Sequence, residues 1–254
     1  MEMSDMDKIL DRGTEAETVS EKKNDLILVI PAYNEAQNIE RVVDELIRDY
    51  PCYDYVIVTD GPTDGTDRIC DRRGYNVIHL PVNLGLTGSF QTGMKYASMK
   101  GYSFAVQFDG DGQHRPEFIK AMYEKAIEGD YDIVMGSRFI GIKNEMGGLR
   151  NLGSKLIRAA VKLTTGKNMS DPTCGLRLYN KRMIDFFAWR LNFAPEPDTI
   201  SFLIKNGAKT AEVPIHVSER EGGASLYINP INAIRYMLRM LTSILLIQVF
   251  RDHD

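Results

Sequence analysis

Short apolar runs of strand length alternate with helical stretches along most of the 254-residue chain, and this alternation restricts the fold more than any other feature. Residues 26–30 are continuously apolar, and after a polar loop apolar side chains recur every three or four positions over 39–47. The predicted strands are 26–30, 55–58, 76–80, 104–108, 132–135 and 210–214, and the predicted helices are 39–47, 66–73, 89–100, 116–128, 148–165, 180–189, 198–206 and 231–250. The pattern predicts an α/β fold in which helices cover both faces of a mostly parallel sheet.

Three polar loops follow predicted strands and are expected to meet at one edge of the sheet. They span residues 31–35, 60–66 and 109–113. Because ligands of such sheets bind beyond the carboxyl ends of the strands, a binding site is predicted at this edge.

The clearest chemical feature is the sequence FDGDGQH at 108–114, in which Asp109 and Asp111 directly follow an apolar strand. Two carboxylates joined by a flexible glycine can hold Mg²⁺ or Mn²⁺ and leave coordination positions for the oxygens of a diphosphate. A simple turn without metal is one alternative. Another is the similar aspartyl nucleophile loop of haloacid-dehalogenase-like phosphatases, but there the pair follows the first strand and Thr stands where this chain has Gln113.

Positive charge is concentrated in the second half of the chain. Residues 138–239 carry 16 basic and 8 acidic side chains, although the whole chain has 31 basic and 35 acidic ones. Such an excess of positive charge is typical of a region that binds phosphates or an anionic membrane surface. The alternative is that it is only a solvated basic face.

Several short motifs, in their order and spacing, resemble those of a known enzyme family. They are VIPAYNE at 29–35, TDGPTDGT at 59–66, NLG at 83–85 and the DGD of 109–111, followed by GSR at 136–138, DPTCGLR at 171–177, EVPI at 212–215 and residues 220–225. The first four resemble the nucleotide-binding half of family 2 glycosyltransferases of GT-A fold. The others resemble their dolichol-phosphate mannosyltransferase-like branch, and the resemblance covers about residues 26–228.

The resemblance implies roles for individual residues. The base and ribose pocket would be lined by Pro31, Tyr33, Glu35 and Asp60. The metal and the diphosphate would be held by Asp109, Asp111 and Gln113. The basic residues placed against the phosphates would be Arg138 and Arg150. A metal ion and guanidinium groups stabilise the negative charge that builds on a departing diphosphate. For each arginine, a surface or ion-pair role is the alternative.

Two positions depart from the family pattern. Thr59 stands where an acidic residue is usual, and Pro62 stands where serine is usual. We therefore expect altered recognition of the base or ribose. Asp60 lies in an Asp-Gly turn, so a purely structural role for it stays open.

The acceptor decides whether the enzyme needs a general base. A sugar hydroxyl must lose its proton during attack, whereas a polyprenyl phosphate is already anionic. Asp198 is the first candidate base, with Glu196 close by, and Asp171 is the second. The alternative for Asp198 is that it caps the helix that follows.

The chain is expected to comprise a flexible leader over 1–24, a GT-A domain over 25–228 and a membrane- or partner-associating helix over 229–254. The uncharged apolar run at 240–250 has eleven residues and is too short to cross a bilayer. Arg235 and Arg239 could contact lipid phosphates while the leucines of the same helix insert into the lipid beneath the phosphates. We therefore expect peripheral association with the cytoplasmic face of a membrane. The three cysteines, which form no CxxC pair, are consistent with the reducing environment of the cytoplasm.

The predicted function is that of an inverting, metal-dependent glycosyltransferase in cell-surface polysaccharide or glycoconjugate synthesis. Its expected partners are a nucleotide diphosphate sugar as donor, a polyprenyl phosphate or lipid-linked glycan as acceptor, a membrane surface, and a small membrane protein or a second copy of the chain. No nucleic-acid partner is expected. The alternative function is a catalytically silent nucleotide-sugar-binding scaffold subunit of a membrane glycosylation complex.

Overall fold

The computed structural model describes residues 24–141, 148–190, 193–217 and 230–250. Side chains of 148–152, 230–233 and 247–250 lie outside this description. The predicted leader, apart from its last residue, and the motif at 220–225 also lie outside the described residues.

Seven strands form one sheet, with helices on both faces. The strands are β1 (Leu26–Ala32), β2 (Asp54–Asp60), β3 (Val77–Leu80), β4 (Phe104–Gln107), β5 (Ile133–Ser137), β6 (Arg177–Asn180) and β7 (Thr210–Pro214). The helices are α1 (Ile39–Asp49), α2 (Thr66–Arg73), α3 (Gly85–Met99), α4 (Glu117–Gly129), α5 (Gly148–Thr165), α6 (Lys181–Trp189), α7 (Pro197–Lys205) and α8 (Pro230–Phe250). The strand order is β3-β2-β1-β4-β6-β5-β7, and all pairings are parallel except those of β6, which confirms the predicted α/β architecture.

Strand β6 is absent from the sequence-based prediction. It has four residues, begins with the charged Arg177 and leads directly into α6, so it lacks a local strand signal. Its place is set by pairing, because Arg177 lies opposite Gln107 of β4 and Met135 of β5. Since β6 runs against its neighbours, it starts at the edge where β4 and β5 end.

The central strand β1 is buried on both faces, which explains its continuous apolar sequence. Ile27 and Val29 face a core shared with α3, α5, α6, α7 and α8. Leu28 and Ile30 face a second core shared with α1, α2 and α4. A Cβ atom on Gly93 of α3 would come 2.1 Å from Val29 Cγ1, so α3 packs tightly against β1. This helix begins at Gly85, four residues before the predicted start.

Helix α8 packs against α5 and α7. Met240 and Ile244 on its inner face are buried in the core. Among the described side chains of this helix, the large apolar ones that remain exposed are Ile234, Leu238, Leu245 and Leu246. Among the described helices, none is long and apolar enough to cross a membrane.

Candidate active site

The polar loops meet at one edge of the sheet, as predicted. Strands β1, β2, β4, β5 and β7 run in the same direction, so their carboxyl ends lie at this edge. The antiparallel β6 adds residues 171–176, which precede it, to the same edge.

The loops after β1 and β2 are joined by hydrogen bonds. Thr63 donates its backbone N–H to Asn34 Oδ1 at 2.8 Å, and Ala36 donates its own to Asp64 Oδ2 at 2.9 Å. Asn34 adopts a positive φ of 56°, which asparagine tolerates better than most residues. These bonds hold the two loops in one arrangement.

The residues expected in a base and ribose pocket lie in or beside these loops. Pro31 is half-buried within β1, and Tyr33 is exposed just beyond the strand. Glu35 is half-buried, and its Oε2 accepts a hydrogen bond from Asn38 Nδ2 at 2.8 Å. The three side chains thus lie along the side of the site formed by β1.

Asp60, at the end of β2, is buried and anchors the segment before α3. Its Oδ1 accepts the backbone N–H of Leu84 at 2.7 Å. The following Gly61 has a φ of +57°, and a Cβ there would come 2.7 Å from the backbone nitrogen of Asn83. Only glycine fits this approach, so Asp60 and Gly61 hold residues 82–84 against the edge of the site.

Thr59, one of the two departures from the family pattern, takes part in a polar chain. Its Oγ1 lies 2.7 Å from His79 Nδ1 on β3, and His79 Nε2 lies 3.0 Å from Asp71 Oδ1 on α2. The Thr59 hydroxyl therefore forms its hydrogen bond with β3, at that side of the sheet.

The loop after β4 carries Asp109 and Asp111, both partly accessible to solvent. Asp111 Oδ1 accepts the backbone N–H of Gln113 at 3.0 Å, which shapes the turn. Asp109 Oδ2 lies 3.4 Å from Nδ1 of the buried His114. The two carboxylates and Gln113 therefore lie on one short, ordered turn.

The donor set of this loop fits Mg²⁺ or Mn²⁺. Within the described residues, no group of three or more His, Cys, Asp and Glu could enclose a metal ion. Mg²⁺ characteristically binds through one or two carboxylates together with substrate phosphates, and Asp109 and Asp111 supply that number. Gly175 makes room for Asp109, because a Cβ there would come 2.8 Å from Asp109 Oδ2 and 3.2 Å from His114 Cε1.

Arg138, directly after β5, forms a forked ion pair with the fully buried Asp171. Arg138 donates through Nε to Asp171 Oδ2 at 2.6 Å and through Nη2 to Asp171 Oδ1 at 2.8 Å. Thr173 Oγ1 accepts from Arg138 Nη2 at 2.8 Å and donates to Asp171 Oδ1 at 2.9 Å. Burial opposes the charge on Arg138, but its bonds to Asp171 outweigh that effect and raise its pKa.

This ion pair bears on the roles predicted from the sequence. Asp171 accepts from so many donors that the geometry favours a role in holding Arg138 over a role as base. Arg150 belongs to α5, but its side chain lies outside the described residues.

Asp198 and Glu196, near the start of α7, both contact α8. Asp198 accepts from Ser243 Oγ at 2.5 Å and from the backbone N–H of Thr199 at 2.8 Å. Glu196 pairs with Arg239 at 3.1 Å. Burial raises the pKa of Glu196, and the charge of Arg239 partly offsets this effect. The N-cap position of α7 belongs to Glu196, so Asp198 is not the capping residue.

Arg177 is not among the site residues predicted from the sequence, but it lies next to the candidate site. Its side chain is buried at the start of β6, and Nη2 donates to the carbonyl oxygen of Pro172 at 3.0 Å. Nε and Nη1 have no hydrogen-bond partner in the described part of the chain, nor do the buried Gln107 Oε1 and Tyr179 Oη. Unpaired buried polar atoms are costly, so this polar cluster near the loop of Asp109 and Asp111 is a feature that apolar patterning does not reveal.

The contact between Gly175 and Asp109 generates a prediction. Gly175→Ala should displace the Asp109 carboxylate and weaken Mn²⁺ binding about tenfold, as is typical when a neighbour that orients a ligand is changed. Electron paramagnetic resonance of Mn²⁺, titrated in the presence of UDP or GDP, measures this affinity.

The matched control is Gly110→Ala, which adds a methyl group between the two aspartates. A Cβ at Gly110 meets no described atom closer than 3.5 Å, so binding should stay within twofold of the unchanged protein. Equal losses in both variants would contradict the role assigned to Gly175.

Comparisons with known proteins identify relatives of the chain. The chain is 28% identical over 225 residues to the polyprenol monophosphomannose synthase of Mycolicibacterium smegmatis, covering 84% of each protein. It is 29% identical to the undecaprenyl-phosphate mannosyltransferase of Micrococcus luteus, covering 79% of this chain and 86% of that protein.

A solved structure shares the fold. It is glucosyl-3-phosphoglycerate synthase from Mycobacterium tuberculosis, in complex with Mn²⁺, UDP and phosphoglyceric acid. The TM-score is 0.65 at 17% identity, and the match covers 89% of this chain and 78% of that one. It confirms the GT-A-like architecture, in which a seven-stranded, mostly parallel sheet is flanked by helices.

The family model described as Glycosyl transferase family 2 matches residues 27–187, which cover β1 from its second residue, β2 to β6 and the loop of Asp109 and Asp111. The chain therefore belongs to glycosyl transferase family 2, and it is related to enzymes that transfer sugars to polyprenyl phosphates.

Proposed function

We propose that the protein is an inverting, metal-dependent glycosyltransferase that moves a sugar from a nucleotide diphosphate sugar to a polyprenyl phosphate. The observation that carries the proposal is the meeting, at one sheet edge, of the carboxylate loop of Asp109 and Asp111 with residues 171–176, which hold Arg138. Two related enzymes are named for polyprenol or undecaprenyl phosphate, which supports the acceptor class.

Asp109, Asp111 and Gln113 would hold Mg²⁺ or Mn²⁺, which supplies positive charge to the departing diphosphate. Arg138 adds a guanidinium whose direction is fixed by Asp171. Such preorganised charge stabilises the negative charge that develops on the leaving group. We propose Arg150 as a second cation for the phosphates.

In the proposed reaction an oxygen of the acceptor phosphate attacks the anomeric carbon of the sugar. The bond from that carbon to the diphosphate breaks, and its electron pair leaves with the nucleoside diphosphate. This direct displacement inverts the configuration at the anomeric carbon. The acceptor oxygen is already anionic and needs no general base, in keeping with the use of Asp171 as a partner of Arg138.

Pro31, Tyr33, Glu35 and Asp60 are the proposed contacts of the base and ribose. A lipid-linked glycan is the second candidate acceptor. It would require a base, for which Asp198 is the more accessible carboxylate, because it is half-buried whereas Asp171 is fully buried.

Nucleotide binding tests the donor class. Thermal unfolding should be recorded with UDP, GDP, dTDP and CMP, each with Mn²⁺ or with EDTA. A ligand at 100 times its dissociation constant adds about 2.7 kcal/mol, which corresponds to about 5–10 °C for a chain of this size. We expect such a shift with one diphosphate nucleotide and only in the presence of Mn²⁺.

Asp111→Asn should abolish the metal-dependent part of that shift. The control is Asp130→Asn, an exposed aspartate that precedes β5 at the opposite edge of the sheet, and it should keep the shift. A full shift in EDTA, or in Asp111→Asn, would contradict the metal assignment.

We also propose that the outer face of α8 binds the cytoplasmic face of a membrane. Leu238, Leu245 and Leu246 are exposed there, and the exposed Arg235 lies on the same helix. Apolar side chains flanked by basic ones suit an anionic lipid surface.

Leu238→Glu combined with Leu245→Glu should reduce binding to vesicles containing phosphatidylglycerol at least fivefold, since two carboxylates oppose insertion into an anionic surface. Cosedimentation measures the effect. The control Ile127→Glu alters an exposed residue of α4, on the other side of the sheet, and should leave binding unchanged. If the double variant instead converts a dimer to a monomer in analytical ultracentrifugation and leaves vesicle binding intact, this face is a homodimer contact.

A further inference from the structure

Glu212 lies on the edge strand β7 and supports the segment between α5 and β6. Its register partner on β5 is Met135, two residues before the end of that strand. The Glu212 carboxylate accepts the backbone N–H of Ser170 at 2.8 Å and that of Asp171 at 2.7 Å. Hydrogen bonds to an ionised acceptor are about twice as strong as neutral ones, so Glu212 holds two consecutive backbone amides firmly.

This support continues to the end of β5. Ser170 Oγ lies 2.6 Å from Ser137 Oγ, and the Asp171 carboxylate accepts the forked hydrogen bonds of Arg138. The backbone N–H of Arg138 also donates to Asp171 Oδ2, at 3.2 Å. The Glu212 carboxylate on β7 thus fixes the backbone of Asp171, and the Asp171 carboxylate in turn fixes the guanidinium of Arg138.

We propose that Glu212 is a positioning residue for the diphosphate of the donor and that it acts through Asp171 on Arg138. The inference rests on the proposed contact between Arg138 and the diphosphate. A planar guanidinium recognises phosphate oxygens only in a narrow range of directions, so a shift of Asp171 would turn Arg138 away from its ligand. The alternative is that Glu212 merely stabilises the attachment of β7.

Glu212→Gln separates these roles. The variant keeps the shape of the side chain but removes its charge, and its NH2 group must replace one of the two oxygen atoms that accept from the backbone N–H groups of Ser170 and Asp171. We expect the affinity for UDP·Mn²⁺ or GDP·Mn²⁺, whichever the unchanged protein binds, to fall about tenfold in isothermal titration calorimetry.

The matched control is Asp132→Asn, which alters a similar carboxylate, one that accepts hydrogen bonds at the other end of β5. The Asp132 carboxylate accepts from Arg182 at 2.6 Å and from the backbone N–H of Lys209 at 2.7 Å. This variant should lower the unfolding midpoint in the same way as Glu212→Gln, but its nucleotide affinity should stay within twofold. Equal losses of affinity in the two variants would show a general structural effect and overturn the proposal.

A double-mutant cycle with Arg138→Lys tests whether Glu212 affects nucleotide binding through Arg138. If Glu212 acts through Arg138, Glu212→Gln should weaken binding no more than twofold in the Arg138→Lys background, although it costs about tenfold in the unchanged protein. A further tenfold loss there would overturn the proposal.

The failure of this inference and that of the proposed function look different. If Arg138→Lys weakens binding and Glu212→Gln does not, Glu212 has no positioning role and the proposed function stands. If neither variant weakens binding, the assigned contact of Arg138 with the diphosphate is wrong, and the inference falls with it. If the unchanged protein binds neither nucleotide, the proposed donor class is wrong and this role of Glu212 is overturned.

Discussion

The reversed direction of β6 is the constraint on which the site depends. If β6 were parallel to β4 and β5, residues 171–176 would lie at the opposite edge of the sheet. Because it is antiparallel, Asp171 reaches Arg138 at the end of β5, and Gly175 lies against Asp109 beyond β4. One four-residue strand therefore brings together the carboxylate loop and the segment that orients the arginine.

Most of the sheet and the carboxylate loop could be predicted from the sequence, because their signals are local. Strand β1 is buried on both faces and reads as an unbroken apolar run, and Asp109 and Asp111 stand two residues apart after a strand. Strand β6 could not be predicted, because its position comes from pairing with β4 and β5. The support given by Glu212 to Asp171 joins residues 41 positions apart and has no local sequence signature.

The charged groups proposed for the site are held by different parts of the fold. Arg138 is fixed by a buried carboxylate, which suits a group that meets a diphosphate in a constant position. Asp198 and Glu196 are instead held by Ser243 and Arg239 of α8, the helix whose outer face exposes leucines. The helix proposed to bind lipid is thus also the helix that holds these two carboxylates.

Direct observation of sugar transfer tests the central claim. The protein should be incubated with Mn²⁺, a short-chain polyprenyl phosphate and either GDP-hexoses or UDP-hexoses, and the lipid products identified by mass spectrometry. We predict a polyprenyl-phosphate hexose from one donor class, lost in Asp111→Asn and retained in Asp130→Asn. Donor binding without transfer to the lipid phosphate, or transfer only to a glycan hydroxyl, would contradict the account.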